Sequence, residues 1–436
     1  MKIAIIGTGY VGLVSGACFA EMGHQVICVD KVSQKIEVLN SGGIPIFEPG
    51  LKKIVSKNKQ EGRLSFTLNI GEAINGANAV FIAVGTPPHP ETGHADMKYV
   101  HAAAKEIVDH IDDFTVIVTK STVPVGTGQS IERMLKKIAP EKKFSVTSNP
   151  EFLREGAAIG DFMKPDRIVV GTTCENSKSI MRAIYSPLTD SGFPLLFTTR
   201  ESAELIKYAS NAFLATKIGF INEMADLCEK VGGDVSEVAR GMGLDNRIGG
   251  KFLNAGPGYG GSCFPKDTLA LIKTGEDNEV PMQVVRSVIK SNENRKFAMA
   301  NKIIDACGGT IEGKKIAVLG LTFKANTDDI RDAPSLCIIP ELLKAGAKIN
   351  VYDPEGMNEA KTHFGETLKY CNNAIEATNN VDTIVVLTEW QEFIDMTFDF
   401  CKSQIKFPNI IDLRNCLDWD KLTKNGFLVT RIGKPQ

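Results

Sequence analysis

The chain has 436 residues, 43% of them hydrophobic and 23% charged, with a formal net charge of −2. That length is enough for roughly two or three domains of a globular protein. The near-neutral charge gives neither a nucleic-acid footprint nor a membrane-surface patch, and no apolar run approaches the ~20 residues of a membrane span. The ten cysteines include no C-x-x-C pair and are scattered through apparent strands and helices. They read as reduced thiols of a cytoplasmic protein, which excludes a disulfide framework or a zinc site. His24, His89, His94, His101, His110 and His363 show no metal-ligand spacing, so no metal is expected. Lysine pairs such as Lys52-Lys53 and Lys136-Lys137 are most simply solvated helix faces. Lys2 and the apolar stretch to Ala20 superficially resemble a signal peptide, but Gly7, Gly9 and Gly12 interrupt it.

Residues Lys2 to Ile6 read as a buried strand. Gly7-Thr8-Gly9-Tyr10-Val11-Gly12 follows, then a helix through Glu21 and a strand, Val26 to Val29, that ends at Asp30. This is a dinucleotide-binding βαβ fingerprint in its required context. Gly7, Gly9, Tyr10, Val11 and Gly12 are candidate cofactor-binding residues, because the glycines let a pyrophosphate approach the helix N-terminus. Asp30 is placed to accept hydrogen bonds from ribose hydroxyls. Its charge would repel a 2′-phosphate, so NAD is expected over NADP. Lys35, one turn into the next helix, is a candidate for the adenosine side or simply an exposed lysine.

Further strands run from Ala79 to Val84 and from Val116 to Thr119. Thr86 and Thr122 lie just past their carboxyl ends, where open α/β sheets gather ligands. Both are cofactor-site candidates; a hydroxyl capping a helix start is the bland alternative. Ser145 to Ser148 resembles another strand end and opens into Asn149-Pro150-Glu151-Phe152-Leu153-Arg154-Glu155-Gly156. Two carboxylates and an arginine within five residues fit a substrate or acid–base role, or a helix-start salt bridge.

Glu201 to Val231 reads as one helix spanning roughly 45 Å and stopped by Gly232-Gly233. Such a helix is expected to link two domains and to serve as a subunit interface. Lys207 and Asn211, four apart, share a face. Together they suit an oxyanion or a substrate hydroxyl, or else a polar stripe.

Gly256-Pro257-Gly258-Tyr259-Gly260-Gly261-Ser262-Cys263-Phe264-Pro265-Lys266-Asp267 carries the strongest chemical signal. Glycines let backbone or ligand approach closely. Pro265 fits the first turn of a helix. Cys263 is thereby expected near a helix N-terminus beside Lys266, two features that favour thiolate over thiol. Covalent catalysis follows, against the bland reading of a small buried thiol.

The C-terminal third partly repeats the first. Lys315 to Gly320 resembles Lys2 to Gly7, and Lys348 to Asp353 is again a strand ending in Asp. Thr383 to Leu387 and Asn409 to Asp412 complete a second apparent parallel sheet. The turn after Gly320 lacks the second glycine, and Gly320 to Asp353 is 33 residues against 23 from Gly7 to Asp30. The polar insertion includes Lys324 and Arg331, placed to reach a central cleft, and this domain is expected to bind a different nucleotide.

Two Rossmann-like domains, a long connecting helix and a glycine-framed cysteine resemble the UDP-glucose 6-dehydrogenases of the nucleotide-sugar dehydrogenase family. The resemblance covers essentially the whole chain. It is carried by Phe252-Leu253 through Asp267, Asn149 through Gly156, Lys207 with Asn211, and Phe323-Lys324 through Pro334. Ala255 stands where many members carry proline.

The resemblance implies a doubly wound α/β fold with an NAD-binding domain at 1–200, a central helical domain at 201–305 and a UDP-sugar domain at 306–436. It also implies four-electron oxidation of UDP-glucose to UDP-glucuronate with two NAD consumed, and a homodimer formed through the central helix. By similarity, Cys263 is the nucleophile, Asp267 the general base, Lys207 with Asn211 the alkoxide stabiliser, and Glu151 with Thr122 orient the hydrolytic water. Phe252, Leu253, Asn254, Ala255, Gly256, Gly260 and Lys324 would hold the sugar nucleotide, alongside Glu151 to Glu155. Glu155, Lys266 and Arg331 would contact the nicotinamide end of NAD, and Arg247 a partner subunit's substrate.

Dehydrogenases of UDP-N-acetylmannosamine or GDP-mannose are the nearest alternatives. A two-electron β-hydroxyacid dehydrogenase also presents Lys and Asn four apart but needs no cysteine. A non-catalytic nucleotide-binding protein would not need Cys263, Lys207 and Asp267 together.

Overall fold

The computed structural model describes residues 1–87, 95–399 and 408–435; His89, His94 and Cys401 lie outside the described residues. The chain divides into two units, Met1–Ser210 with Leu269–Val280, and Asn211–Thr268 with Pro281–Gln436.

The first unit is built on β1 (Lys2–Ile6), β2 (Gln25–Val29), β3 (Leu64–Thr67), β4 (Ala79–Ile82), β5 (Thr115–Thr119), β6 (Phe144–Ser148), β7 (Ile168–Gly171) and β8 (Leu195–Thr198). They form one sheet in the order β3-β2-β1-β4-β5-β6-β7-β8. Every neighbouring pair is parallel except β6 with β7, whose antiparallel register is Ser148 opposite Gly171. The reason for the sheet is legible in β1. Ile3 and Ile5 point into one apolar cluster with Phe19 and Phe81, and Ala4 and Ile6 into another with Val80 and Ile117. Alternate residues of a strand face opposite sides, so a strand covered on both faces is apolar throughout. The strand order reverses between β1 and β4, which places the β1 turn at a topological switch point.

The second unit contains β9 (Lys315–Leu319), β10 (Lys348–Tyr352), β11 (Lys369–Tyr370), β12 (Thr383–Val386), β13 (Asn409–Asp412) and β14 (Leu428–Arg431). Its order, β11-β10-β9-β12-β13-β14, repeats the first six strands of the other sheet, and all pairs are parallel. Ile316 and Val318 face one cluster, Ala317 and Leu319 the other. The first of these also takes Ile221, Ala225 and Cys228 from the long helix and Met299, Ala300 and Ile303 from the helix Gln283–Ala306.

The long helix runs from Arg200 to Val231. Its start is admitted by Gly171, where a Cβ would lie 2.7 Å from both Arg200 Cα and Ala203 Cβ. Its end is set by Gly232 at φ 85°, a left-handed position that favours glycine. Among the described residues no helix is long and apolar enough to cross a membrane.

Candidate active site

The three glycines after β1 have three different surroundings. Gly7 has φ 104° and a built Cβ would come within 2.8 Å of Ala83 O. At Gly12 it would come within 2.0 Å of Gly7 O, whereas at Gly9 it would meet nothing within 4 Å. The first makes the turn and the third lets the helix Tyr10–Glu21 pack down. The second leaves an open cradle at a helix N-terminus with no acidic residue in its first turn, the surroundings a pyrophosphate requires. These residues therefore fit a dinucleotide.

Asp30 caps the arrangement. Its Oδ2 accepts from Thr8 N (2.8 Å) and Thr8 Oγ1 (2.7 Å), and Oδ1 from Val32 N (3.0 Å). Lys35 lies 3.8 Å away. Burial pushes the Asp30 carboxyl up, but the Thr8 and Val32 bonds and the Lys35 charge outweigh it and hold the group below its usual range. Tyr10 and Val11 pack against the core. Tyr10 Oη donates to buried Glu48, which also accepts from Gly156 N (2.7 Å) and Ala158 N (2.8 Å). Glu48 thus ties the glycine turn to the Glu151–Gly156 segment, and no local motif marks it. Thr86 Oγ1 donates to Thr122 O at 3.0 Å, joining the ends of β4 and β5.

In the same unit, Lys207 Nζ donates to Glu151 Oε1 at 3.0 Å, with both side chains under 5% exposed. Leu153 N donates to Glu151 Oε2 at 2.5 Å. Burial pushes the Glu151 carboxyl up; the Lys207 charge, the Leu153 amide and Lys120 pull it down further, so it stays anionic below the ordinary range. The Phe152 ring stacks under the Arg167 guanidinium at 3.6 Å and lies 5.5 Å from Lys207 Nζ. Arg154 makes the helix-start ion pair, with Asp161 at 2.6 Å, and Glu155 is buried. Thr122, Ser148, Glu204 and Lys207 line one small cavity. Glu204 accepts from Gly126 N (2.7 Å), Gly128 N (2.9 Å) and Ser148 Oγ (2.9 Å), which fastens the long helix to the segment after β5.

In the second unit, Cys263 precedes the helix Phe264–Asp277, and its carbonyl accepts the first helical bond from Asp267 N at 2.8 Å. Asp267 is wholly buried. Its oxygens accept from Asn211 Nδ2 at 2.6 Å and Lys266 Nζ at 2.5 Å. Ser262 Oγ lies 3.5 Å from Cys263 Sγ.

The loop before the cysteine is pinned at several points. Gly256 N donates to Asn222 Oδ1 (2.8 Å), and Gly256 O accepts from Arg295 Nε (2.9 Å). Asn292 accepts from Tyr259 N (2.8 Å) and donates to Tyr259 O (3.0 Å). Gly261 N donates to Arg331 O at 2.8 Å. A Cβ on Gly260 would lie 2.3 Å from Asp332 O, and one on Gly261 2.7 Å from the Phe323 ring. The glycines are therefore required by backbone and ring contacts. Phe252 adopts φ 63°, and Leu253 and Ala255 are buried in the apolar cluster while Asn254 is exposed.

Arg331 is bidentate to Asp329, with two bonds of 2.8 Å. Lys324 Nζ sits 5.4 Å over the Phe323 ring. Arg247 pairs with Asp245 at 2.6 Å and is 90% exposed. Arg414, unmarked in the sequence, donates to Phe323 O (2.6 Å) and Leu387 O (2.7 Å). Asp353, the counterpart of Asp30, is fully buried. Its Oδ2 accepts from Leu321 N, Thr322 N, Thr322 Oγ1 and Trp390 Nε1, and its Oδ1 from Glu355 N and Gly356 N.

The comparisons with known proteins agree with this anatomy. Three models of the UDP-glucose/GDP-mannose dehydrogenase family match: its NAD binding domain at residues 1–189, its central domain at 201–294 and its UDP binding domain at 317–419. The chain is 55% identical to a UDP-glucose 6-dehydrogenase of Rhizobium meliloti over the full length of both. It is 47% identical to one of Bacillus subtilis, covering 100% of this chain and 93% of that one. A solved UDP-glucose dehydrogenase from Pyrobaculum islandicum superposes with a TM-score of 0.90 at 37% identity, covering 99% of this chain and 97% of that one. A dinucleotide cradle on one Rossmann-like sheet, a saturated counterpart on the other and a pinned cysteine loop thus belong to an NAD-dependent oxidoreductase, a member of the UDP-glucose/GDP-mannose dehydrogenase family.

Proposed function

We propose that the chain oxidises UDP-glucose at C6 to UDP-glucuronate, in two two-electron steps joined by a covalent adduct on Cys263. The observation that carries this reading is Cys263 at the N-terminal end of its helix, one turn from buried Asp267. A simple alcohol dehydrogenase needs no nucleophile there. The full-length identity to proteins named UDP-glucose 6-dehydrogenase supports the substrate.

NAD, when bound, supplies the hydride acceptor for each oxidation. Asp267, held by Asn211 and Lys266, takes the C6 hydroxyl proton through a water, and Lys207 with Asn211 stabilises the alkoxide. Cys263 Sγ then bonds to C6 of the aldehyde, and the carbonyl oxygen takes up a proton to give a thiohemiacetal. This tetrahedral adduct is a better hydride donor than a free aldehyde. Its oxidation gives a thioester. Water, oriented by Glu151 and Thr122, adds to the thioester and breaks the C–S bond, releasing the carboxylate and restoring the thiol.

In this reading Phe252, Leu253, Asn254, Ala255, Gly256, Gly260 and Lys324 hold the sugar nucleotide, with Phe152, Leu153 and Arg154. Thr86, Thr122, Glu155, Lys266 and Arg331 serve NAD. Arg247 serves the substrate of a second copy in a homodimer. The dimer is supported by Phe213, Phe220 and Leu227, spaced seven apart on the long helix and 66%, 45% and 51% exposed. We place the enzyme in the cytoplasm, a compartment that keeps thiols reduced.

The deciding experiment measures NADH formed per UDP-glucose consumed with excess NAD. About two per sugar is expected, with Cys263→Ser unable to complete the second oxidation. A ratio of about one, unchanged in Cys263→Ser, overturns the covalent mechanism. Turnover of UDP-N-acetylmannosamine or GDP-mannose instead would overturn the substrate assignment.

A further inference from the structure

Lys120 follows β5 directly, yet its side chain turns inward and the residue is 5% exposed. Its ammonium donates to Asn149 Oδ1 at 3.1 Å and Tyr185 Oη at 3.4 Å. Tyr185 Oη donates to the same Asn149 oxygen at 2.6 Å, and Asn149 Nδ2 to Val169 O at 2.7 Å. The Phe162 ring lies 5.8 Å from the ammonium. These partners are all neutral. A buried ammonium on neutral oxygens is costly unless a nearby anion compensates it.

Glu151 is that anion. It stands two residues beyond Asn149 and acts on Lys120, while Lys207 acts against it. Reciprocally, Lys207 and Lys120 both hold Glu151 anionic. Lys120, Asn149, Glu151, Phe162 and Tyr185 line one cavity of about 40 Å³, with room for a water.

We propose that Lys120 is a positioning residue, a second buried ammonium that keeps Glu151 charged and oriented for the hydrolytic half of the reaction. The proposal rests on the role given above to Glu151. A single Lys207–Glu151 pair would be neutral, leaving the carboxylate only the Leu153 amide and no cation when Lys207 turns to the alkoxide. A second cation, anchored by Asn149 and Tyr185, keeps Glu151 anionic throughout.

Burial pushes Lys120 down to about 8, with Glu151 opposing and Lys207 adding to the fall. The groups that bear on it are Asn149 and Glu151 from the segment after β6, Lys207 from the long helix and Tyr185 from the helix Glu175–Thr189. Asp161 from the helix Ala158–Met163 and Arg167 before β7 also line the cavity. The ammonium therefore loses its proton within an accessible range, and the support of Glu151 should fail above it.

The test compares the full-length enzyme with Lys120→Met by kcat and KM for UDP-glucose against pH. In parallel, carbon-13 carboxyl titration of Glu151 is read, its signal identified by loss in Glu151→Gln. Below pH about 8, kcat of Lys120→Met should fall by up to about 100-fold, as for a misplaced catalytic group, with KM changing less than about threefold. The alkaline fall of the parent should vanish, and Glu151 should titrate at higher pH. A profile superimposable on the parent's, or an unmoved Glu151 titration, overturns the proposal. Should Lys120→Met not fold, Lys120→Gln is read in the same way, since it keeps a donor for Asn149 Oδ1. If the parent fails to oxidise UDP-glucose, the functional reading falls, while the carboxyl titration still decides whether Lys120 controls Glu151.

Discussion

At the scale of single residues, two glycines separate what the fold needs from what a ligand needs. Gly260→Ala would drive a methyl to within 2.3 Å of a backbone oxygen that cannot give way. It should destabilise by about 1–3 kcal/mol and lower kcat while NAD affinity stays put, as melting and cofactor titration would record. Gly9→Ala meets nothing within 4 Å. Its melting temperature should be unchanged, but NAD should bind at least about tenfold more weakly because the methyl occupies the pyrophosphate's approach. Lys120 offers a third prediction, in stability. Its folded value of about 8 lies below the ordinary 10.5, so between those values the unfolded chain binds more protons and stability from this group rises with pH. The stability of the parent relative to Lys120→Met should therefore climb across that window in denaturant melts and level off beyond it. Cys263, Lys207, Asn211 and Asp267 could be picked out in the sequence because turn glycines and helical spacing are local signals. Glu48, Lys120 and Arg414 could not, because a lone charged residue gives no sign of burial until remote segments close over it.

At the scale of elements, the cysteine loop is a segment without regular structure held rigid by side chains from two helices. Asn292 alone satisfies both the N–H and the carbonyl of Tyr259. Asn292→Ala strands two buried backbone groups at about 1–3 kcal/mol each. It should reduce kcat and raise KM for the sugar nucleotide, without touching the NAD titration. The strands beside the glycine turn could be read from sequence because four or five consecutive apolar residues ending in Gly or Asp leave little else to be. The short strands β3, β7, β8, β11 and β14 could not. Their few residues carry too little pattern, and β11 has only two. The reversal of β7 likewise leaves no local mark, since direction is decided by where the chain returns.

At the scale of the whole molecule, Phe213, Phe220 and Leu227 form an apolar stripe that a monomer would leave in water. Their spacing supports the proposed seat for a second copy. Phe220→Glu should therefore convert a dimer to a monomer in light scattering and, if Arg247 serves the second copy, weaken sugar-nucleotide binding with it. The repeated architecture was readable as a repeat, but not how the copies had diverged. Only the structure shows six hydrogen bonds closing on Asp353, where Asp30 accepts three. The second copy has no carboxylate oxygen left for a ribose, so NAD should titrate to one equivalent per chain. In the four-electron reaction proposed above, a single berth for the oxidant would impose an order of events. The spent cofactor must leave and a fresh one arrive while the half-oxidised sugar waits, and a reactive aldehyde left unattached during that exchange could diffuse away. A sulfur tether on Cys263 is what would let the enzyme change oxidants midway without losing its passenger.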